Sequence, residues 1–247
     1  MIENYYRPHT LEEALHLLKQ PAVVPLGGGT GLTQPGDENF SVVDLQELGL
    51  NKITKIGNNL EIGAGVTLQQ LLESEHCPQS LAQAIRIDAG LNIRNAATVA
   101  GALVSCDGRS AFATAMLAQD AKLAILAENS ESVINLGDYL PVRPKGLITA
   151  ITIPLNVSTV FETVARTPMD KPIVCAAMTR WASGRIRLSL GGTQNAPVLA
   201  LDGTTADDVE AAARNAFHEA DDAWATSAYR ASTAATLAKR CLSALTA

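Results

Sequence analysis

The sequence predicts an α+β fold, and three observations predict it. A short apolar run, Ala22–Leu26, feeds a loop with four glycines in five residues, Gly27–Gly31, inside what reads as a β-α-β unit. From about Asn156 the texture changes to strands of an antiparallel sheet, Val160–Ala165, Ile173–Trp181 and Ile186–Leu190. Two Ala-rich helical runs, Asp207–Ala220 and Ala228–Leu245, then close the chain. The expected division is a domain over residues 1–155, with lobes of about 1–55 and 56–155, and a second domain over 156–247, an antiparallel sheet with helices.

Each element has a local reason. Thr10 followed by Glu13 is a capping-box pattern, and Ala14, Leu15, Leu17 and Leu18 give the ensuing helix an apolar face up to Pro21. Ala22–Leu26 and Val42–Leu45 read as buried strands. Ile53–Ile56 and Leu60–Ile62 form a hairpin around Gly57-Asn58-Asn59. Thr67 caps a helix carrying Leu68, Leu71 and Leu72; Ser80 caps another carrying Leu81, Ala84 and Ile85; Ser110 opens a third that runs to about Ala118. Lys122–Ala127, Ser132–Leu136 and Leu147–Ile153 have strand character, and Pro154 ends the last of them. Arg185 and Arg187 alternate with Ile186 and Leu188, the pattern of a sheet with one wet face, and Gly191-Gly192 closes that strand.

Composition narrows the function. Of 247 residues 47% are apolar but only 4% aromatic, so the core is built of Ala, Leu, Val and Ile. A net charge of −6 argues against a nucleic-acid or anionic-membrane surface. No apolar run reaches the roughly 18 residues of a membrane span. The first eight residues, Met1 to Pro8, lack the basic and apolar regions of a signal peptide, so a cytoplasmic location is expected. Cys77, Cys106, Cys175 and Cys241 show no C-x-x-C or iron–sulfur spacing and are expected to be buried or idle reduced thiols. The four histidines, His9, His16, His76 and His218, are scattered, and no metal site is expected.

The chemistry lies in two small-residue stretches. Glycines let the main chain approach a ligand closely, and successive backbone N–H groups in such a turn form a concave anion site. Pro25-Leu26-Gly27-Gly28-Gly29-Thr30-Gly31-Leu32 therefore reads either as a pyrophosphate cradle or as a plain strand connection. No Gly-Lys-Ser/Thr follows, so it is not a Walker A loop. Gln34-Pro35-Gly36-Asp37 breaks the chain where a Rossmann site would open a long helix. The second stretch is Asn92 to Leu103. Its Ala100, Gly101 and Ala102 would let amides face an anion, and Thr98 adds a hydroxyl. Alone it reads as tight helix–strand packing; together the two suggest two loops closing on one diphosphate.

The pair L-G-G-G-T-G-L and I-R-N-A-A-T-V-A-G-A-L resembles the signature of the FAD-binding subunit of molybdenum hydroxylases, a family that includes the medium subunit of aerobic carbon monoxide dehydrogenase and the flavin domain of xanthine dehydrogenase. Val43-Asp44-Leu45, the strand Leu147 to Pro154, Arg166, Asp170, Gly191-Gly192, Pro197 and Tyr229-Arg230 resemble further landmarks in the same order. The resemblance implies a two-lobed FAD-binding domain of the PCMH/vanillyl-alcohol-oxidase-like kind followed by the C-terminal domain. It implies FAD held non-covalently, since no His or Cys matches a covalent link. It places Gly27, Gly28, Gly29, Thr30, Gly31 and Leu32 on the first pyrophosphate loop, Thr98, Val99, Ala100, Gly101 and Ala102 on the second, and Ile148 beside the cofactor. It implies no catalytic residue in this chain. The expected partners are a small subunit with [2Fe–2S] clusters, which relays electrons to FAD, and a large molybdopterin-binding subunit, as a dimer of heterotrimers. FAD then passes electrons to an external acceptor.

Three positions depart from the family pattern. Ala100 stands for the first of two consecutive glycines. Ala111 stands where an Asp often contacts the cofactor, a role for which Asp107 is the nearby substitute. Asp88 stands where an apolar residue often lies near the flavin; pointing inward it would lower the flavin potential, and otherwise it is a solvated turn residue. These departures motivate a second reading, a structural subunit with weak or no FAD binding. A third, a stand-alone FAD oxidase, is opposed by the few aromatics and the short C-terminal region.

Overall fold

The computed structural model describes residues 1–32, 39–127, 130–168 and 170–246. Residues 34–37, expected to break the chain after the first glycine loop, lie outside the described residues. The fold is α+β, and it opens with β1 (Ile2–Tyr6), α1 (Leu11–Leu18), β2 (Val23–Leu26) and β3 (Phe40–Asp44). These strands form a parallel sheet in the order β1-β3-β2. Thr10 caps α1 by accepting from the Glu13 amide at 3.2 Å. The Glu13 carboxylate reaches back to the amide of His9 at 3.1 Å, one residue before the box position. Strand β1 has no counterpart in the sequence reading: its I-E-N-Y-Y segment is largely exposed and carries no apolar alternation.

The next layer is β4 (Ile53–Ile56) and β5 (Asn59–Gly63), then the helices α2 (Leu68–Glu73), α3 (Gln79–Asp88), α4 (Leu91–Ala96), α5 (Val99–Val104) and α6 (Ala111–Ala118). It continues with β6 (Lys122–Ala127), β7 (Ser130–Asn135), α7 (Leu136–Val142) and β8 (Leu147–Pro154). The five strands pair antiparallel in the order β4-β5-β8-β6-β7. Thr67 and Ser110 cap α2 and α6 as the sequence predicts. Ser80 does not cap α3: Pro78 holds that position, and Ser80 is buried inside the helix.

The third sheet, β9 (Val157–Val164), β10 (Val174–Trp181), β11 (Ile186–Gly191) and β12 (Val198–Gly203), is antiparallel in the order β12-β11-β10-β9, and α8 (Val209–Ala216) and α9 (Ser227–Thr246) follow it. Gly191-Gly192 ends β11 as expected, but that strand is not the last: β12 follows it in the same sheet. The expected wet face is absent. Helices α8 and α9 cover one side of this sheet and α6 packs on the other. All six residues of β11 are buried, Arg187 included. Helix α6 joins the two halves: its A-F-A-T-A-M-L-A sequence is buried on every side, and its alanines allow close approach to α3, β10 and β11.

Candidate functional site

A cleft of about 900 Å³ opens between the three-stranded sheet and the five-stranded sheet. Its first wall is the end of β2 with Gly27 and Gly28. Its second is the α4–α5 junction, with Asn95, Ala96, Thr98, Ala100 and Gly101. Its third is the segment Arg143 to Ile148 that leads into β8, with Tyr139 from α7 beside it.

The first two walls touch. A Cβ placed on Gly28 would overlap the Ala96 carbonyl oxygen, and one on Gly27 would lie 2.8 Å from the Thr98 hydroxyl. Gly29 turns the loop with φ +71°, and its carbonyl accepts from the Leu32 amide at 3.0 Å. An antiparallel bridge between Thr67 and Thr98 fixes the second wall from behind. The Leu68 amide donates to Ala97 at 2.9 Å, and the Val99 amide donates to Val66 at 2.8 Å. Arg94 ties α4, which has no buried residue of its own, to Gln69 and to the Ala89 carbonyl.

Backbone donors in these loops fall into two groups. In the second loop the Gly101 amide is taken by Thr98 Oγ1 at 3.1 Å and the Ala102 amide by the Thr98 carbonyl at 2.8 Å. Among the described residues, the amides of Gly27, Gly28 and Ala100 have no hydrogen-bond partner. Buried or half-buried N–H groups without partners are rare in finished folds, so three of them on one cleft fit an anionic ligand.

The expected site residues separate accordingly. Gly27, Gly28, Thr98, Ala100, Gly101 and Ile148 line the cleft, and the other seven expected residues do not. Gly29, Thr30, Gly31 and Leu32 are not among the lining residues, and Gly31 lies beside the Ser105 side chain. Val99 is fully buried, and Ala102 packs on the core. Asp107 pairs with Lys171 at 2.8 Å and accepts from the Arg109 amide at 2.9 Å. Asp88 is neither a solvated turn residue nor part of the cleft lining. Its carboxylate accepts from Ser110 Oγ at 2.9 Å and from the Phe112 amide at 3.1 Å, at the N-terminus of α6. Burial nevertheless holds its carboxyl above the ordinary value, against the lowering effect of those bonds. Ala111, buried at that same terminus, offers the cleft no side chain.

The third wall contributes residues that local sequence patterns do not mark. Tyr139 is 4% exposed and lines the cleft, yet its phenol has no hydrogen-bond partner within the described chain. Burial pushes that phenol above its ordinary value, which keeps it a neutral O–H donor. Arg143, in the left-handed conformation at the end of α7, donates to the carbonyls of Val104, Cys106 and Asn195 at 3.0, 2.7 and 3.0 Å. At the mouth, Arg7 lies between Asp44 at 3.6 Å and Glu47 at 3.2 Å, and Tyr5 donates to the buried Asp44.

Nothing in this arrangement activates a nucleophile. Burial pushes the four thiols up, Cys77 and Cys106 to about 11 and Cys175 and Cys241 to about 12, so none is a thiolate near neutral pH. Among the described residues no group of three His, Cys, Asp or Glu could hold a metal ion, and no helix is long and apolar enough to cross a membrane.

Residues 1–156 match a family described as the FAD binding domain in molybdopterin dehydrogenase. The chain is 28% identical over 197 residues to the uncharacterized protein YgfM of Escherichia coli strain K12, covering 78% of this chain and 75% of that protein. It is 26% identical over 220 residues to the glyceraldehyde dehydrogenase medium chain of Sulfolobus acidocaldarius, covering 81% and 78%. Among solved structures, the reconstituted CO dehydrogenase from Oligotropha carboxidovorans superposes with a TM-score of 0.83 at 23% identity, over 99% of this chain and 98% of that one. Quinoline 2-oxidoreductase from Pseudomonas putida 86 gives 0.80 at 20%, over 99% and 97%. At these identities the structural likeness establishes the fold.

Proposed function

This chain belongs to the family of FAD-binding domains of molybdopterin dehydrogenases, and from that premise we propose that it holds FAD non-covalently in the cleft and acts as the electron-transfer subunit of a molybdenum hydroxylase complex. The observation that carries the proposal is the convergence of the unpartnered amides of Gly27, Gly28 and Ala100 on one cleft. The cleft's size lies near the upper end of small-molecule sites, roughly 300–1,000 Å³, which suits a dinucleotide. Bound FAD supplies the redox chemistry; the protein supplies binding, orientation and electrostatics.

Each wall has a task in this reading. The amides of Gly27, Gly28 and Ala100 donate to the diphosphate oxygens. The Thr98 side chain, engaged with Gly101, holds the second loop in the shape that exposes the Ala100 amide. Ala100 presents its amide as a glycine would, so this departure from the family pattern leaves the donor in place. Leu26, Leu50 and Ile148 give the cofactor's rings an apolar lining. No acid, base or nucleophile is needed from this chain.

The partners in the proposal are a subunit with [2Fe–2S] clusters, which delivers electrons, and a large molybdopterin-binding subunit, in a dimer of heterotrimers. The naming of the Sulfolobus relative as a medium chain supports this division of labour, as do the scattered cysteines of this chain, three of them buried and Cys77 half-buried. An external acceptor takes the electrons from the flavin.

The test is a visible absorption spectrum of the purified chain after incubation with FAD and removal of excess. Flavin bands near one equivalent, released by acid, are the expected result. A folded protein that stays colourless, alone and after addition of the partner subunits, rejects the proposal.

A further inference from the structure

We propose that Lys145 is the counter-ion of the ligand's diphosphate, a charged contact supplied by the third wall to a group that the glycine loops hold only through neutral amides. The inference rests on the FAD reading above and adds to it a residue outside both glycine loops.

Four charged residues line the cleft: Arg7, Glu47, Arg143 and Lys145. Arg7 is neutralised where it stands, between Asp44 and Glu47. Arg143 is engaged by three main-chain carbonyls and works as a clamp between α7, the end of α5 and the loop at Asn195. Glu47 is itself paired with Arg7 and lies 3.1 Å from His9. Lys145 alone among these has no ion pair or hydrogen bond within the described chain.

The ligand's own charge makes this matter. Oxidised flavin, ribityl, ribose and adenine are neutral near pH 7, and the diphosphate carries the permanent negative charge of FAD. Amide dipoles orient such an anion but do not cancel its charge. A lysine ammonium on a flexible stem neutralises it as a point charge without demanding a fixed geometry. The main chain at Lys145 is anchored on both sides, by Arg143 before it and by the start of β8 after it, so the ammonium is delivered to the cleft while the stem stays free to follow the ligand. Because Lys145 is exposed and unpartnered, truncating it leaves the fold intact.

The experiment is a titration of the full chain by flavin fluorescence, with FAD and with riboflavin, which lacks phosphate, at low salt and at 1 M salt. Lys145→Ala is expected to weaken FAD binding about tenfold at low salt, the size of one charge-assisted contact. The difference should shrink to about twofold at 1 M salt, where the screening length is about 3 Å. Lys145→Arg should keep most of the affinity, and riboflavin binding should be the same in all three proteins. Two results overturn the inference while leaving the FAD reading standing: unchanged FAD affinity in Lys145→Ala, or an equal loss for FAD and riboflavin, which would place the lysine on the ring. A wild-type chain that is folded but binds no FAD, alone and with the partner subunits added, overturns both.

Discussion

The cleft and the C-terminal sheet treat most of their polar groups in opposite ways, the Nε atoms of Arg187 and Arg230 being the buried exceptions in the sheet. Arg187, 5% exposed, lies 2.6 Å from Asp120 and 3.1 Å from Asp202. Arg230, fully buried, pairs with Asp222 at 2.6 Å and donates to the carbonyls of Ile173 and Gly192. In the cleft, by contrast, the amides of Gly27, Gly28 and Ala100, the Tyr139 phenol and the Lys145 ammonium have no partner in the described chain. Groups engaged with one another hold the fold; donors left open around a cavity await a ligand. The two regions should therefore fail in different assays.

The largest expected effect lies in the C-terminal half. Arg230→Ala leaves the carbonyls of Ile173 and Gly192 without this donor and takes the cation from Asp222, which keeps the amides of Trp224 and Ala225; losing a fully buried, hydrogen-bonded arginine costs about 3 kcal/mol. Chemical denaturation should show this loss of stability, while FAD affinity at a temperature where the variant is folded should change little. A parallel collapse of both quantities would break the comparison. Gly28→Ala tests the other side. Its Cβ meets the Ala96 carbonyl, so one loop must move away from the other. Moving the amides off the ligand should weaken FAD binding by about 2–3 kcal/mol, on the order of a hundredfold. Fluorescence titration measures this against a smaller change in unfolding midpoint.

Much of this was legible in the residues themselves, because local physics writes it there. The caps at Thr10, Thr67 and Ser110, the Gly57-Asn58 hairpin and both small-residue loops follow from side-chain chemistry at fixed spacing. What local patterns concealed was set by distant contacts. Arg187 sits in a period-two alternation that normally marks a wet face, but Asp120 arrives from the other half of the chain to cover it. Helix α7 carries Gly137 and Pro141, a composition that disguises a helix, and so Tyr139 went unmarked. Strand β12 lies beyond a Gly-Gly pair that reads as an end. The third wall of the cleft is a tertiary fact: nothing near Lys145 in sequence says that it lines the same cleft as Gly27.

A smaller effect sharpens the cleft side. Tyr139→Phe removes one neutral donor and nothing from the packing, so FAD affinity should fall by about 1 kcal/mol. Unlike the Lys145 effect it should be indifferent to salt. An unchanged affinity would mean that the phenol is satisfied by water instead.

The smallest effect is a pH dependence that belongs to the fold and not to the cleft. The Arg185 guanidinium, 2.8 Å from Asp202, holds that carboxyl below the ordinary carboxylate range, with Arg187 adding to the effect. Its stabilising contribution is thus complete above the unfolded value, about 3.9, and is lost as pH falls through the lowered folded value. Asp88 works with the opposite sign. Burial raises its carboxyl, so its contribution is complete below the ordinary value and is lost as pH rises through the raised one. Acid titration of stability should therefore show two carboxylates in opposition. Asp202→Asn should lower stability at pH 7 by an amount that shrinks as pH falls through the lowered folded value, flattening the acid limb. The effect is modest because the Asp202 side chain is 31% exposed and solvent screens the pair. Neither residue lines the cleft, so FAD affinity at pH 7 should be the same with and without Asp202→Asn. A loss of flavin in that variant would show that the ion network reaches the cleft through α6, and the separation of the two regions would fail at that helix.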